Sequence, residues 1–87
     1  MNEKFIEEFI DYLRFERKYS ENTISSYKRD LNKMNIYIKK EFTKLNKKDI
    51  QNYIQKLSKE ENTSSVSRCI STLKSFYKFL EINKYTN

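Results

Sequence analysis

The 87-residue sequence contains no glycine, proline, histidine or tryptophan, and a single cysteine, Cys69. Without glycine, tight turns that need positive φ and the glycine-rich loops that cradle phosphates lack their usual residue. Hairpin-rich β folds and P-loop chemistry are disfavoured accordingly. The missing histidine removes the commonest general base and metal ligand, and one cysteine by itself supports neither an internal disulfide nor a zinc site. No catalytic centre, metal or cofactor is expected. A lone thiol suits a reducing compartment, so a cytoplasmic location is expected. No stretch approaches the roughly 20 apolar residues of a membrane span, and Met1-Asn2-Glu3-Lys4 is not the basic-then-apolar opening of a signal peptide.

What the chain does contain is charge. Lys and Arg number 18 against 12 Asp and Glu, a formal net charge of +6, with only 37% apolar content. A chain of this size and composition supports one modest core, hence a single domain over residues 1–87 that is monomeric in isolation. The charge is unevenly placed. Residues 1–16 hold Glu3, Glu7, Glu8, Asp11 and Glu16 against Lys4 and Arg14, whereas most of the basic residues follow. A polyanionic partner would therefore be met by the later segments and repelled by the first.

Apolar residues recur at helical spacing in four stretches, so the fold class is all-α, a compact four-helix bundle. The first, about 3–18, aligns Phe5, Ile6, Phe9, Ile10 and Leu13. In the second, about 21–40, Ile24, Tyr27, Leu31, Met34 and Ile38 form a packing seam. Ser20 is placed as its N-cap, with Tyr19 and Ile24 at the positions of a hydrophobic staple. The third, about 47–60, repeats the device with Asn46 as N-cap, Asp49 at the third helical position and Leu45 opposite Ile50. Its inner face carries Tyr53, Ile54 and Leu57. The fourth, about 64–84, starts from Asn62 or Thr63 and turns Val66, Cys69, Ile70, Leu73, Phe76, Tyr77 and Leu80 inward. The connections, about two residues, then roughly five or six, then about two or three, are short enough to favour packed neighbours. Ile36, Phe79 and Ile82 fall off the stripes; they either cover helix ends or form a second contact surface.

Stepping about 100° per residue lines up Asn22, Ser26, Arg29 and Lys33 opposite the seam of the second segment. The same step groups Ser64, Arg68, Ser71, Ser75 and Lys78 on the fourth. Small hydroxyl side chains allow close approach, Arg and Lys neutralise phosphates, and Asn, Ser and Arg hydrogen-bond base edges or backbone oxygens. That chemistry suits a DNA major groove, although Ser64, Ser65 and Ser67 also fit a helix cap, and Ser71 and Ser75 an ordinary exposed face. Glu7 with Asp11 lacks a third ligand, and Ser71 with Lys74 or Ser75 with Lys78 lacks any sign of an oxyanion hole; both pairs read as solvated surface.

Three blocks carry a family likeness: Phe9-Ile10-Asp11-x-Leu13; Ser20-Glu21-Asn22-Thr23-Ile24-x-x-Tyr27-x-x-Asp30-Leu31; and Ser64-Ser65-Val66-x-Arg68 through Leu73-Lys74-x-Phe76-Tyr77-x-Phe79-Leu80. Together they resemble the N-terminal core-binding, SAM-like domain of tyrosine recombinases, in the Xer and phage-integrase branch, from about Phe5 to Tyr85. The resemblance implies a small helical bundle forming one half of a C-shaped clamp on double-stranded DNA, with its second and fourth helices facing the major groove. Carried over residue by residue, it marks Asn22, Thr23, Ser26 and Arg29, and Ser64, Ser65, Arg68 and Ser71, as the contacts. Lys33, Ser75 and Lys78 join them from the face count. It also implies that the nucleophilic tyrosine and its activating groups belong to a C-terminal catalytic domain, with other recombinase protomers as partners. None of the seven tyrosines here is then that nucleophile, and Lys84-Tyr85-Thr86-Asn87 falls where an interdomain linker is expected. Lys stands at much of the fourth segment where the family commonly has Arg, and Lys lacks the bidentate fork. The alternative is a small helical protein-binding regulator with an incidental basic face, whose surface would be Ile36, Phe79 and Ile82.

Overall fold

The computed structural model describes residues 2–86; Met1 and Asn87 lie outside the described residues. Helix α1 (Glu3–Asp11) buries Phe5, Ile6, Phe9 and Ile10 along one stripe and leaves Glu3, Glu7 and Asp11 to solvent. The single helix expected to run to residue 18 is interrupted. After Asp11 the backbone widens into a π-helical turn (Tyr12–Glu16), closed by the Arg17 N–H donating to the Tyr12 carbonyl at 3.1 Å and the Tyr19 N–H to the Leu13 carbonyl at 3.0 Å. Leu13 remains buried, and the Tyr12 ring comes to 5.1 Å from that of Phe79.

The next three helices begin on side-chain caps. Helix α2 (Glu21–Ile38) starts where Ser20 Oγ accepts the Thr23 N–H at 3.3 Å. Helix α3 (Lys47–Glu60) opens with a reciprocal capping box: Asn46 Oδ1 accepts the Asp49 N–H at 2.8 Å and Asp49 Oδ2 accepts the Asn46 N–H at 3.1 Å. Asn62 caps helix α4 (Thr63–Ile82) through the Ser65 N–H at 2.8 Å. Such caps satisfy N–H groups that the first helical turn leaves unpaired, at roughly 1 kcal/mol each. Helix ends are managed differently. With no glycine to occupy left-handed positions, Lys18, Lys39 and Lys84 take φ values of 54°, 53° and 61°. Helices α2 and α4 therefore stop at Ile38 and Ile82, two residues short of the ends read from the pattern.

Phe9 is the centre of the core, fully buried, with the rings of Phe76 and Phe79 at 5.3 and 5.4 Å. Helix α2 packs on α1 and α4, and α3 packs on α4. Phe79, which the stripe count left outside, is 7% exposed because α1 and the π turn present Phe9 and Tyr12 to it. Ile36 and Ile82 are exposed, at 74% and 63%. Of the residues expected inside, Tyr27, Ile38, Ile54, Val66, Ile70 and Tyr77 are only half-buried, since they stand at the edges of the stripes whose centres, such as Leu31 and Phe76, are fully buried. The connection between α2 and α3 contributes to the core as well: a 3₁₀ turn (Phe42–Lys44) drives Phe42 fully inside, and the Tyr77 hydroxyl donates to its carbonyl at 3.0 Å.

A polar pin secures that turn. Asn2 is fully buried; its Oδ1 accepts the Phe42 N–H at 2.7 Å, and its Nδ2 donates to Asn35 Oδ1 at 2.8 Å and to the Lys40 carbonyl at 2.9 Å. The start of α1 is thus tied to the end of α2 and to the turn beyond it. Among the described residues no helix is long and apolar enough to cross a membrane.

Candidate nucleic-acid interface

The polar residues singled out from the sequence lie on α2 and α4, whose packing brings part of them to one seam. Asp30 of α2 is 7% exposed and receives both near-side donors of Arg68 from α4: Nε to Oδ2 at 3.0 Å and Nη2 to Oδ1 at 2.9 Å. Thr72, one turn further along α4 and fully buried, sets its hydroxyl 3.3 Å from Asp30 Oδ2 and 3.0 Å from the Arg68 carbonyl. A carboxylate this enclosed is tolerable because a cation and two charge-assisted hydrogen bonds face it. In return, the Asp30 hydrogen bond holds the Arg68 guanidinium more firmly in its charged form.

Lys33, one turn after Asp30, reaches across to Glu61 at the entrance to α4 with an Nζ–Oε1 separation of 2.5 Å. Lys33 is half-buried and Glu61 exposed; the contact raises the lysine's pKa and lowers the glutamate's. Arg29 and Lys78, by contrast, are exposed cations in no ion pair among the described residues. Asn22, Ser64 and Ser71 are exposed, while Thr23, Ser26, Ser65 and Ser75 are half-buried. Thr23 and Ser65 also serve the caps of their helices, through the backbone N–H groups that Ser20 and Asn62 accept.

The candidate residues do not form one cluster. Arg29 and Lys33 line an open concavity on α2 together with Ser25, Lys28, Asn32 and Ile36. Ser75 and Lys78 line a narrower cleft with Tyr12, Arg17, Tyr19 and Ile82 near the π turn. From Ser64 to Lys78 the helix rises about 21 Å at 1.5 Å per residue. The face is therefore a strip, anchored one turn from its α4 start by Arg68. Sequence reasoning missed Asp30, Thr72 and Glu61 as partners of that strip, and Ser25, Lys28 and Asn32 as its neighbours. For Asp30 a signal existed: it is a carboxylate next to Leu31 at the edge of an apolar seam. Among the described residues no group of three His, Cys, Asp or Glu is placed to hold a metal ion.

The family model described as the phage integrase, N-terminal SAM-like domain, matches residues 6–84. The chain belongs to this family. Its similarity to curated proteins runs the same way. A "Tyrosine recombinase" of Thermosipho africanus is 38% identical over 87 residues, covering 93% of this chain and 31% of that protein. A "Tyrosine recombinase XerD" of Oceanobacillus iheyensis is 40% identical over 86 residues, covering 92% and 29%. A "Tyrosine recombinase XerC" of Staphylococcus saprophyticus is 41% identical over 81 residues, covering 88% and 27%. The chain thus spans less than a third of the length of these relatives. No solved structure matches it significantly. The all-α bundle of this SAM-like domain agrees with the fold expected from periodicity and from the family likeness.

Proposed function

We propose that this SAM-like domain binds double-stranded DNA as one arm of the clamp of a tyrosine recombinase, presenting the outer faces of α2 and α4 to the major groove. The observation that carries the reading is the polar strip along those two helices. It is basic, interspersed with small hydroxyl side chains and joined across the seam at Arg68, and two of its cations, Arg29 and Lys78, are free of ion pairs among the described residues. Asn22, Thr23, Ser26, Arg29 and Lys33 on α2, and Ser64, Ser65, Arg68, Ser71, Ser75 and Lys78 on α4, are the proposed contacts. Residues 1–87 act as one binding unit in the cytoplasm, monomeric when isolated. Strand cleavage and joining belong to a catalytic domain outside this chain, and other recombinase protomers are partners of the intact protein.

The test is titration of the 87-residue chain against duplex DNA over a range of salt. Binding on the order of micromolar at physiological salt is expected, with log K falling against log salt at a slope of roughly −3.6 to −5.4 for about four to six neutralised phosphates. Arg29→Ala and Lys78→Ala should each reduce that slope by about one unit. A slope near zero would overturn the reading in favour of a protein-binding surface at Ile36 and Ile82. Incubation with supercoiled DNA should give neither nicks nor a covalent phosphotyrosine adduct; an adduct would place the chemistry in this chain.

A further inference from the structure

Asp30 is a nearly buried carboxylate, and it stands against the one arginine of α4. We propose that it is a positioning residue, which fixes the Arg68 guanidinium so that its free terminal edge reads two adjacent acceptors on a base, the O6 and N7 pattern of guanine. The inference rests on the DNA-binding role proposed above.

The geometry of the ion pair leads there. A guanidinium has two edges able to donate a parallel pair of hydrogen bonds, one through Nε and Nη2 and one through Nη1 and Nη2. Asp30 occupies the first, at 3.0 and 2.9 Å, and the Nη1 atom has no hydrogen-bond partner among the described residues. The second edge is therefore the one left for a ligand, and the Arg68 side chain is 38% exposed. Thr72 bears on the far side of the pair through Asp30 Oδ2. An arginine fixed by such a pair loses less rotamer freedom on binding than one free in solvent, so its geometry is enforced before contact. Charge points the same way. Asp30 neutralises Arg68 locally, which leaves the pair little to contribute to counterion release; what remains is directional hydrogen bonding, the term that discriminates bases.

Removal of Asp30 separates positioning from electrostatics, because the two predict opposite changes. Asp30→Asn raises the net charge by one, so a purely electrostatic role requires tighter binding to every duplex. Positioning requires lost discrimination instead. The preferred sequence is first selected from a pool of randomised duplexes with the wild-type chain, and a scrambled version serves as the reference. For Asp30→Asn the ratio of selected to scrambled affinity should fall by roughly 5- to 150-fold, the range of a single bidentate base contact, while scrambled binding holds or rises. Arg68→Ala should lose the ratio to the same extent, and the double variant no further.

An unchanged ratio in a folded Asp30→Asn chain overturns the inference. So does a wild-type selection with no preferred sequence, and so does an Arg68→Ala loss that is equal on both duplexes and lowers the salt slope by about one, which makes Arg68 a phosphate contact. Should Asp30→Asn fail to fold by circular dichroism, Thr72→Val carries the test: it removes the hydroxyl behind Asp30, and a ratio identical to wild type then overturns the proposal. Failure of the wild-type chain to bind any duplex in a salt-dependent manner would instead sink the DNA-binding role itself.

Discussion

Asn2→Ala removes a side chain at the second residue, where truncation is usually harmless, and here it should be severe. Three hydrogen bonds disappear together: Phe42 N–H to Oδ1, and Nδ2 to Asn35 and to the Lys40 carbonyl. Lys40 is exposed and Asn35 half-buried, so both recover solvent; Phe42 is fully buried and its N–H does not. A stranded buried donor costs roughly 1–3 kcal/mol, and the exchangeable bonds add about 1 kcal/mol. The sum, roughly 2–4 kcal/mol, corresponds to a fall in Tm of roughly 8–30 °C for a domain of this size. Thermal circular dichroism at neutral pH measures it. Asn46→Ala is the control, an exposed N-cap whose loss costs about 1 kcal/mol. Asn2→Asp should be no more stable than Asn2→Ala at neutral pH, because its carboxylate still accepts from Phe42 but sets a buried, unpaired charge against the Lys40 carbonyl. A melting temperature for Asn2→Ala no lower than that of Asn46→Ala would refute the reasoning.

Two further outcomes follow from the titratable groups. The Asp49 carboxyl is held below its ordinary pKa by the Asn46 N–H and, secondarily, by Lys40; its stabilisation is therefore complete above the unfolded aspartate pKa and lost as pH falls through the folded one. The Tm of Asp49→Asn should lie below wild type at pH 7 and converge with it in acid, and a gap that does not narrow would contradict the assignment. Cys69 is 1% exposed and burial pushes its thiol up to about 11, so a thiol-specific reagent at pH 8 should label the native chain far more slowly than the denatured one. Equal rates would show that this part of α4 is open.

Local features of the fold were legible in the sequence. Ser20 and Asn46 are caps because a side-chain oxygen on the residue just before a helix accepts an N–H three residues later, a relation confined to neighbouring residues. The apolar seams of α1 and α2 followed from spacing for the same reason. What escaped was set by partners far along the chain. Phe79 is inside because of Phe9 and Tyr12, and Phe42 because a 3₁₀ turn folds under Asn2. The candidate site divides likewise. Its two helical faces were visible from residue order, but the occupation of Arg68 by a carboxylate 38 residues away was not.

The places where α1 is fastened also set the timing of folding during synthesis. Asn2 bonds to residues around 40, Phe9 packs against the rings of Phe76 and Phe79, and Phe5 and Glu8 meet the ring and hydroxyl of Tyr85 at 5.0 and 2.7 Å. Helix α1 is thus completed by α4, which at about 5–20 residues per second is synthesised several seconds after it. Until then α2 covers the apolar stripe of α1 only in part, and α1 to α3 alone expose the surface that α4 closes. The core around Phe9 is consequently completed only once α4 has been made, and the half-made chain exposes apolar surface that the finished domain buries.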